Sequence, residues 1–234
     1  MRVRMAVRHA VFLAALVLPV VLAGCGGATK QAAAQVKPRP VAVGWELHTL
    51  DDVGVALSLP PGWQAFNMDK QALTDTIAEL RKANPSIANA LSSQVTSLAV
   101  QGIKFYAADL YSPSLAFGFA TNLNIIRDGS TSIDNLDEAM TEAIAEVEKQ
   151  FAGSLDGPVL RGKLKSGSGH QVGRLSYDVV LNAPGGVSMP LSINQYVASA
   201  GGDVYIVTCT TLMANRGDYA STFEAMAEGL YFLE

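Results

Sequence analysis

Two cysteines, Cys25 and Cys209, the two of three histidines that lie beyond the first 24 residues, His48 and His170, and the run Ser166-Gly167-Ser168-Gly169-His170 are the side chains of this sequence best suited to chemistry. Nucleophilic catalysis needs a hydroxyl, a base and a group that orients the base, all within hydrogen-bond reach. A hydrolase reading would take Ser166 or Ser168 as the hydroxyl, His170 or His48 as the base and a carboxylate such as Asp178 as the orienting group. Adjacency in sequence does not supply that geometry, and there is no Gly-x-Ser-x-Gly elbow. The run reads instead as a flexible link between strands. Transition-metal sites need clustered ligands, whereas His48, His170 and Cys209 are scattered. Asp51-Asp52 offers carboxylates to a hard cation, but calcium takes six to eight oxygens, so a polar turn explains the pair better. The expectation is no catalytic residue, no metal ligand and no cofactor.

Weaker patterns point the same way. Gly167, Gly169 and Gly173 depart from the dinucleotide fingerprint, and Val172 opens a strand where that motif needs a helix. Arg161, Lys163 and Lys165 alternate along one strand and read as a charged sheet edge. Cys209 sits among Val207, Thr208 and Thr210 with no nearby positive charge to activate a thiol. Asn122 and Asn124 share one strand face and are expected to hydrogen-bond inside the fold, and Trp63 after Pro60-Pro61-Gly62 is expected to pack.

The elements that must position these residues follow from hydrophobic period. Strands are predicted at Trp45 to Leu50 and at Val53 to Leu59, where apolar residues alternate. Leu73, Ile77 and Leu80 fall on one helical face, Asn84-Pro85 interrupts it, and Ile87, Leu91, Val95 and Leu98 resume it, which predicts a helical hairpin at about 69–100. Strands follow at about Ile103 to Tyr111 and Phe117 to Arg127. A helix is then predicted with Asp134 as N-cap, the face Leu136, Met140, Ile144, Val147 and Phe151, and Gly153 as its end. Four extended segments near Pro158 to Leu164, Val172 to Leu181, Val187 to Ala198 and Val204 to Leu212 lead to a closing helix from about Arg216 to Leu230. Short links between strands imply antiparallel neighbours and an α+β fold. The segment Val204 to Leu212 is apolar or small on both faces, so layers are expected on each side of the sheet.

The amino terminus is of another kind. Arg2, Arg4 and Arg8 precede an uncharged run from Ala10 to Gly24, the charged, apolar and small-residue order of an export signal. That run, with Pro19 near its end, is short against the ~20 residues of a comfortable span. Without the three leader arginines about 14 basic residues face 21 acidic ones, a formal charge of about −7. Nucleic acid is disfavoured as a partner, because phosphate binding needs clustered Lys and Arg. Residues 26–40 have almost no large apolar side chain and close with Pro38 and Pro40, so they read as a tether. Residues 41–234 can form one domain.

Leu22-Ala23-Gly24-Cys25 resembles a bacterial lipobox. That resemblance implies a signal peptide at residues 1–24, a diacylglyceryl thioether on Cys25, cleavage before it and acylation of the new amino terminus, so that residues 25–40 are a lipidated cysteine and its tether.

Within the domain, Val55-Ala56-Leu57-Ser58-Leu59-Pro60-Pro61-Gly62-Trp63, Phe119-Ala120-Thr121-Asn122-Leu123-Asn124-Ile125-Ile126 and Asp203-Val204-Tyr205-Ile206-Val207-Thr208-Cys209-Thr210, the last followed by Tyr219 and Phe223, resemble the opening strand, central strand and closing strand-helix of the PsbP-like family. That family includes a photosystem II extrinsic protein, a nuclear Ran-binding import factor and bacterial lipoproteins of the DcrB and LpqN kind. The resemblance implies an α/β/α sandwich with a central, mainly antiparallel sheet and helices on both faces, and accessory or binding work rather than chemistry. The expected protein is exported and anchored through lipid on Cys25 to the outward-facing side of the bacterial cell membrane, periplasmic or extracellular. Its expected partners are that membrane and a lipid or other envelope ligand held under the helical hairpin, or an envelope protein. An envelope hydrolase and a structural subunit of an envelope complex are the alternative readings.

Overall fold

A computed structural model of the chain describes residues 37–68, 70–85, 87–89, 91–92, 103–129, 133, 135–182 and 188–233. Alternating residues of a strand face opposite sides of a sheet, and here that alternation sorts the domain into layers. The strands are β1 (Glu46–Leu50), β2 (Val55–Leu59), β3 (Trp63–Phe66), β4 (Phe105–Asp109), β5 (Asn122–Asp128), β6 (Leu160–Lys165), β7 (Gln171–Asn182), β8 (Ser188–Ala200), β9 (Asp203–Leu212) and β10 (Tyr231–Phe232). The helices are α1 (Lys70–Ala83), α2 (Leu136–Gln150) and α3 (Arg216–Glu228). Seven strands form one antiparallel sheet in the order β3-β4-β5-β9-β8-β7-β6, and β1-β2-β10 form a small second sheet.

One register row crosses the large sheet from edge to edge: Phe66, Tyr106, Asn124, Thr208, Gln195, Leu175 and Arg161. The face that carries this row is the front. Leu73 and Ile77 of α1 pack there with Phe66, Tyr106, Ala108, Ile126 and Ile206. Farther along the same face, Met140, Ala143 and Val147 of α2, with Phe151 just past its end, cover Leu175, Tyr177, Val179, Leu191 and Ile193. The approach is closest at Gly173, where a Cβ would fall 2.6 Å from Met140 Sδ. On the back, Tyr219, Phe223, Met226 and Ala227 of α3 join the small sheet in a core with Phe105, Leu123, Ile125, Val207 and Cys209. Helices therefore lie on both faces of a mainly antiparallel sheet, the sandwich expected from the sequence.

Local chemistry explains the joints. Gly201 and Gly202, at φ +61° and +93°, form the two-residue link between β8 and β9, where Ala200 pairs with Asp203. A two-residue hairpin that needs positive φ at both positions favours glycine. Pro190 is tolerated in β8 because it pairs with Val180 of β7, while the β8–β9 ladder begins only at Leu191. Arg127 bonds Asp203 through Nε at 2.8 Å and the Val53 carbonyl through Nη1 at 3.1 Å, tying the small sheet to the large one.

Several boundaries differ from expectation. Pro113–Phe117 is a 3-10 turn, capped by Ser112 and closed by Gly118 at φ +74°, so β5 starts at Asn122 rather than Phe117. Asn135, not Asp134, caps α2: its side chain accepts from the amides of Asp137 at 3.0 Å and Glu138 at 3.4 Å. The helix ends at Gln150, before Gly153. Strand β3 directly after the Pro-Gly turn and the two-residue β10 have no counterpart in the sequence reading. Of the expected hairpin, α1 and helical residues 87–89 and 91–92 are present, and its remainder lies outside the described residues.

Candidate functional site

Two places concentrate polar side chains. The first is the turn between β6 and β7. Gly169, at φ +90°, folds the run back on itself. Ser168 Oγ then lies 3.0 Å from His170 Nδ1 and 3.1 Å from Ser166 Oγ, and it accepts from the Phe232 amide at 3.2 Å. The His170 amide donates to Ser166 Oγ at 3.1 Å, and the His170 ring meets Phe232 edge-on at 5.1 Å. The sequence-predicted hydroxyl and imidazole are thus brought together. Asp178 is not: it sits eight positions along β7, about 26 Å at the rise of a strand, and accepts from Arg216 Nη1 at 2.5 Å. His48 is on β1, with Nε2 3.9 Å from Glu46 Oε1 and its ring against Phe105. Each bond at Ser168 closes the turn or fastens it to β10, which is the work of a structural serine. Ser168→Ala is therefore expected to cost about 1 kcal/mol of stability, measured by urea denaturation, and to leave any ester-hydrolase activity of the purified protein unchanged.

The second place is the middle of the front face. Asn122 and Asn124 of β5, Thr208 and Thr210 of β9 and Gln195 of β8 are all buried there. Asn124 pairs with Thr208 and Asn122 with Thr210 across β5 and β9, and Gln195 pairs with Thr208 across β8 and β9. The five form a neutral polar strip between the ground covered by α1 and that covered by α2. Asn122 Nδ2 donates to the Ala120 carbonyl at 2.9 Å. Asn124 Oδ1 and Thr208 Oγ1 have no hydrogen-bond partner. An orphaned buried polar group costs about 1–3 kcal/mol, so this strip is a place where the fold gives up stability. The sequence reading found Asn122 and Asn124 but missed Gln195, Thr208 and Thr210. Polar residues at alternate positions of Thr208-Cys209-Thr210 were the available signal.

The other candidates resolve into structure. Cys209 is fully buried on the back face, and burial pushes its thiol well above the ordinary value of 9.0. Burial likewise raises the phenols of Tyr106, Tyr177 and Tyr196 above 10.0. A raised acid stays protonated in the fold while the unfolded chain ionises. Stability from these groups is complete below the unfolded values of 9 to 10 and falls as pH rises past them. A steep loss of thermal stability above pH 10 is expected, measured by melting from pH 7 to 11. Trp63 packs edge-on against Phe223 at 6.4 Å. Arg161, Lys163 and Lys165 are exposed on the edge strand β6, where Lys163 Nζ reaches Asp137 Oδ2 at 2.7 Å and holds that carboxyl below its usual value. Asp51 and Asp52 are exposed in the β1–β2 turn. Among the described residues no group of three or more His, Cys, Asp or Glu side chains could hold a metal ion, and no helix is long and apolar enough to cross a membrane. Cys25 lies outside the described residues.

No family model and no curated protein sequence matches the chain. Among solved structures, the cyanobacterial PsbP (CyanoP) of Synechocystis superposes with a TM-score of 0.50 at 14% identity, covering 90% of this chain and 98% of that one. The fold is PsbP-like. Two further similar structures have lower scores. LpqN of Mycobacterium tuberculosis, involved in cell envelope biogenesis, has a TM-score of 0.40 at 9% identity over 77% of this chain and 83% of its own. The Ran-binding protein Mog1p of Saccharomyces cerevisiae has 0.44 at 8% identity over 82% and 97%. At these identities the PsbP-like likeness concerns the fold, and function must come from the residues of this chain.

Proposed function

We propose that this protein is a non-catalytic accessory or binding protein of the bacterial cell envelope, held to the outward-facing side of the membrane by lipid on Cys25. The observation that carries the non-catalytic part is the fate of Ser168 and His170. They meet, but as the closing bonds of a turn, with Asp178 engaged elsewhere by Arg216. A hydrolase needs a hydroxyl that is free to attack and a base held by an orienting group. The buried thiol of Cys209 offers no replacement nucleophile.

Location rests on the amino terminus. The Arg-rich start, the apolar run and Leu22-Ala23-Gly24-Cys25 are the parts of a lipoprotein leader. With Cys25 acylated, residues 26–40 give the domain reach and the sandwich supplies the binding surface. The leader also leaves Cys209 as the sole free thiol of the domain, so no intramolecular disulfide is used.

The test is protease shaving of cells or spheroplasts that express the full chain. The proposal expects external protease to degrade the domain while a cytoplasmic marker survives. Protection of the domain equal to that of the marker would overturn it.

A further inference from the structure

The polar strip on the front face carries an inference that deepens the binding reading and does not depend on the anchor at Cys25. Asn124 is 5% exposed and Thr208 7% exposed, and their orphaned oxygens sit on directly paired residues of β5 and β9. The next residues along the same face, Ile126 and Ile206, are apolar and pair with one another. Continuing that apolar pairing to positions 124 and 208 would have filled the seam without orphaned atoms, so the strip costs the fold stability. Its position fits a function. It lies where the ground of α1 meets that of α2, and among the described side chains of α1 Leu73 and Ile77 are the buried ones, with Leu80 partly buried beside them, a light attachment for a helix of 14 residues.

The charges around it define what it would take. Arg127, Arg174, Asp178 and Asp203 of β5, β7 and β9 occupy back-face positions in the register. On the front face the nearest charged strand residue along β5 is Asp128, four residues from Asn124. Asn, Gln and Thr both donate and accept without charge, so they complement groups that do the same. A charged ligand would lose its hydration there without gaining a counter-ion.

We propose that Asn122, Asn124, Gln195, Thr208 and Thr210 form a binding site for an uncharged ligand rich in hydroxyl or amide groups, admitted between α1 and α2. A hydroxyl or amide hydrogen of the ligand donates to Asn124 Oδ1, and Thr208 Oγ1 completes a second bond. Ile126, Ile206, Val197 and Ile193 form the apolar walls on either side.

The experiment uses the full chain in detergent, with N-acetylglucosamine as an uncharged probe carrying hydroxyls and an amide, and glucosamine as its cationic counterpart. Saturation-transfer NMR is expected to show contact with the first and not the second, with affinity falling at least about tenfold in Asn124→Leu and in Thr208→Val. In the absence of probe, both variants are expected to melt about 2 °C or more above the parent, because each removes an orphaned polar atom. Lack of saturation transfer from the parent, equal transfer to both probes, or transfer unchanged by the substitutions would overturn the proposal. So would a lower melting temperature in both variants, which would show that the two oxygens are satisfied within the fold or by structural water. None of these results depends on membrane attachment, so failure here leaves the shaving result standing, and the converse holds.

Discussion

Cys25→Ser is expected to move the protein from the membrane fraction to the soluble fraction of expressing cells, a shift of most of the population. Each buried acyl methylene contributes ~0.8 kcal/mol, and stable anchoring takes more than one chain. The proposed acylation at Cys25 would meet that requirement through a diacylglyceryl group and an acylated amino terminus. No helix among the described residues is long and apolar enough to cross a membrane, and Lys30, Lys37 and Arg39 would add only ~1 kcal/mol each against anionic headgroups. Sedimentation and immunoblotting read the shift directly. Retention of the variant in washed membranes would place the attachment elsewhere in the chain.

Phe223→Ala is expected to destabilise the domain by about 3–5 kcal/mol, the largest effect of a single core substitution here. Phe223 is fully buried at the meeting point of three layers. Its ring stacks on Tyr219 at 5.6 Å and meets Trp63 edge-on at 6.4 Å, in the same core as Leu57 of the small sheet and Val207 of the large one. Removing the ring leaves a cavity that strands on two sheets and one helix would have to fill together. Tyr219 also donates to Asp109 Oδ2 at 2.5 Å, which fixes the start of α3 and limits the collapse. Urea denaturation should show a lowered midpoint with a similar slope; a midpoint unchanged from the parent would mean that the α3 layer is not integral to the folded core.

The elements that were legible in sequence are those whose side chains report their own surroundings. Val55, Leu57 and Leu59 alternate because one side of β2 meets the core formed with α3, and Tyr219, Phe223 and Met226 recur at helical spacing because one side of α3 meets the sheet. The Pro-Gly-Trp turn and the Asn-bearing strand carried the resemblance to the PsbP-like fold. What was hidden depends on partners distant in the chain. The pair Tyr231-Phe232 becomes a strand only because Ala56 and Val55 offer it an edge. Trp63–Phe66 is a strand because it lies against β4, across the whole hairpin insertion. The polar strip follows the same rule. Asn122 and Asn124 could be placed on one face from sequence alone, but β9 pairs with β5 from some eighty residues away, so the register that sets Thr208 beside Asn124 is a property of topology. The Ser166–His170 turn was legible as a link, and the contact of Ser168 with His170 was not, because it depends on the positive φ of Gly169 and on the late return of Phe232.

The central claim, lipid anchorage of the domain through Cys25, is tested most directly at the amino terminus by intact-mass and peptide mass spectrometry of the protein extracted from bacterial membranes. The account predicts a mature chain beginning at Cys25 and carrying a diacylglyceryl thioether, with or without a further acyl group on its amine. A chain that retains residues 1–24, or that carries an unmodified Cys25 thiol, would contradict it.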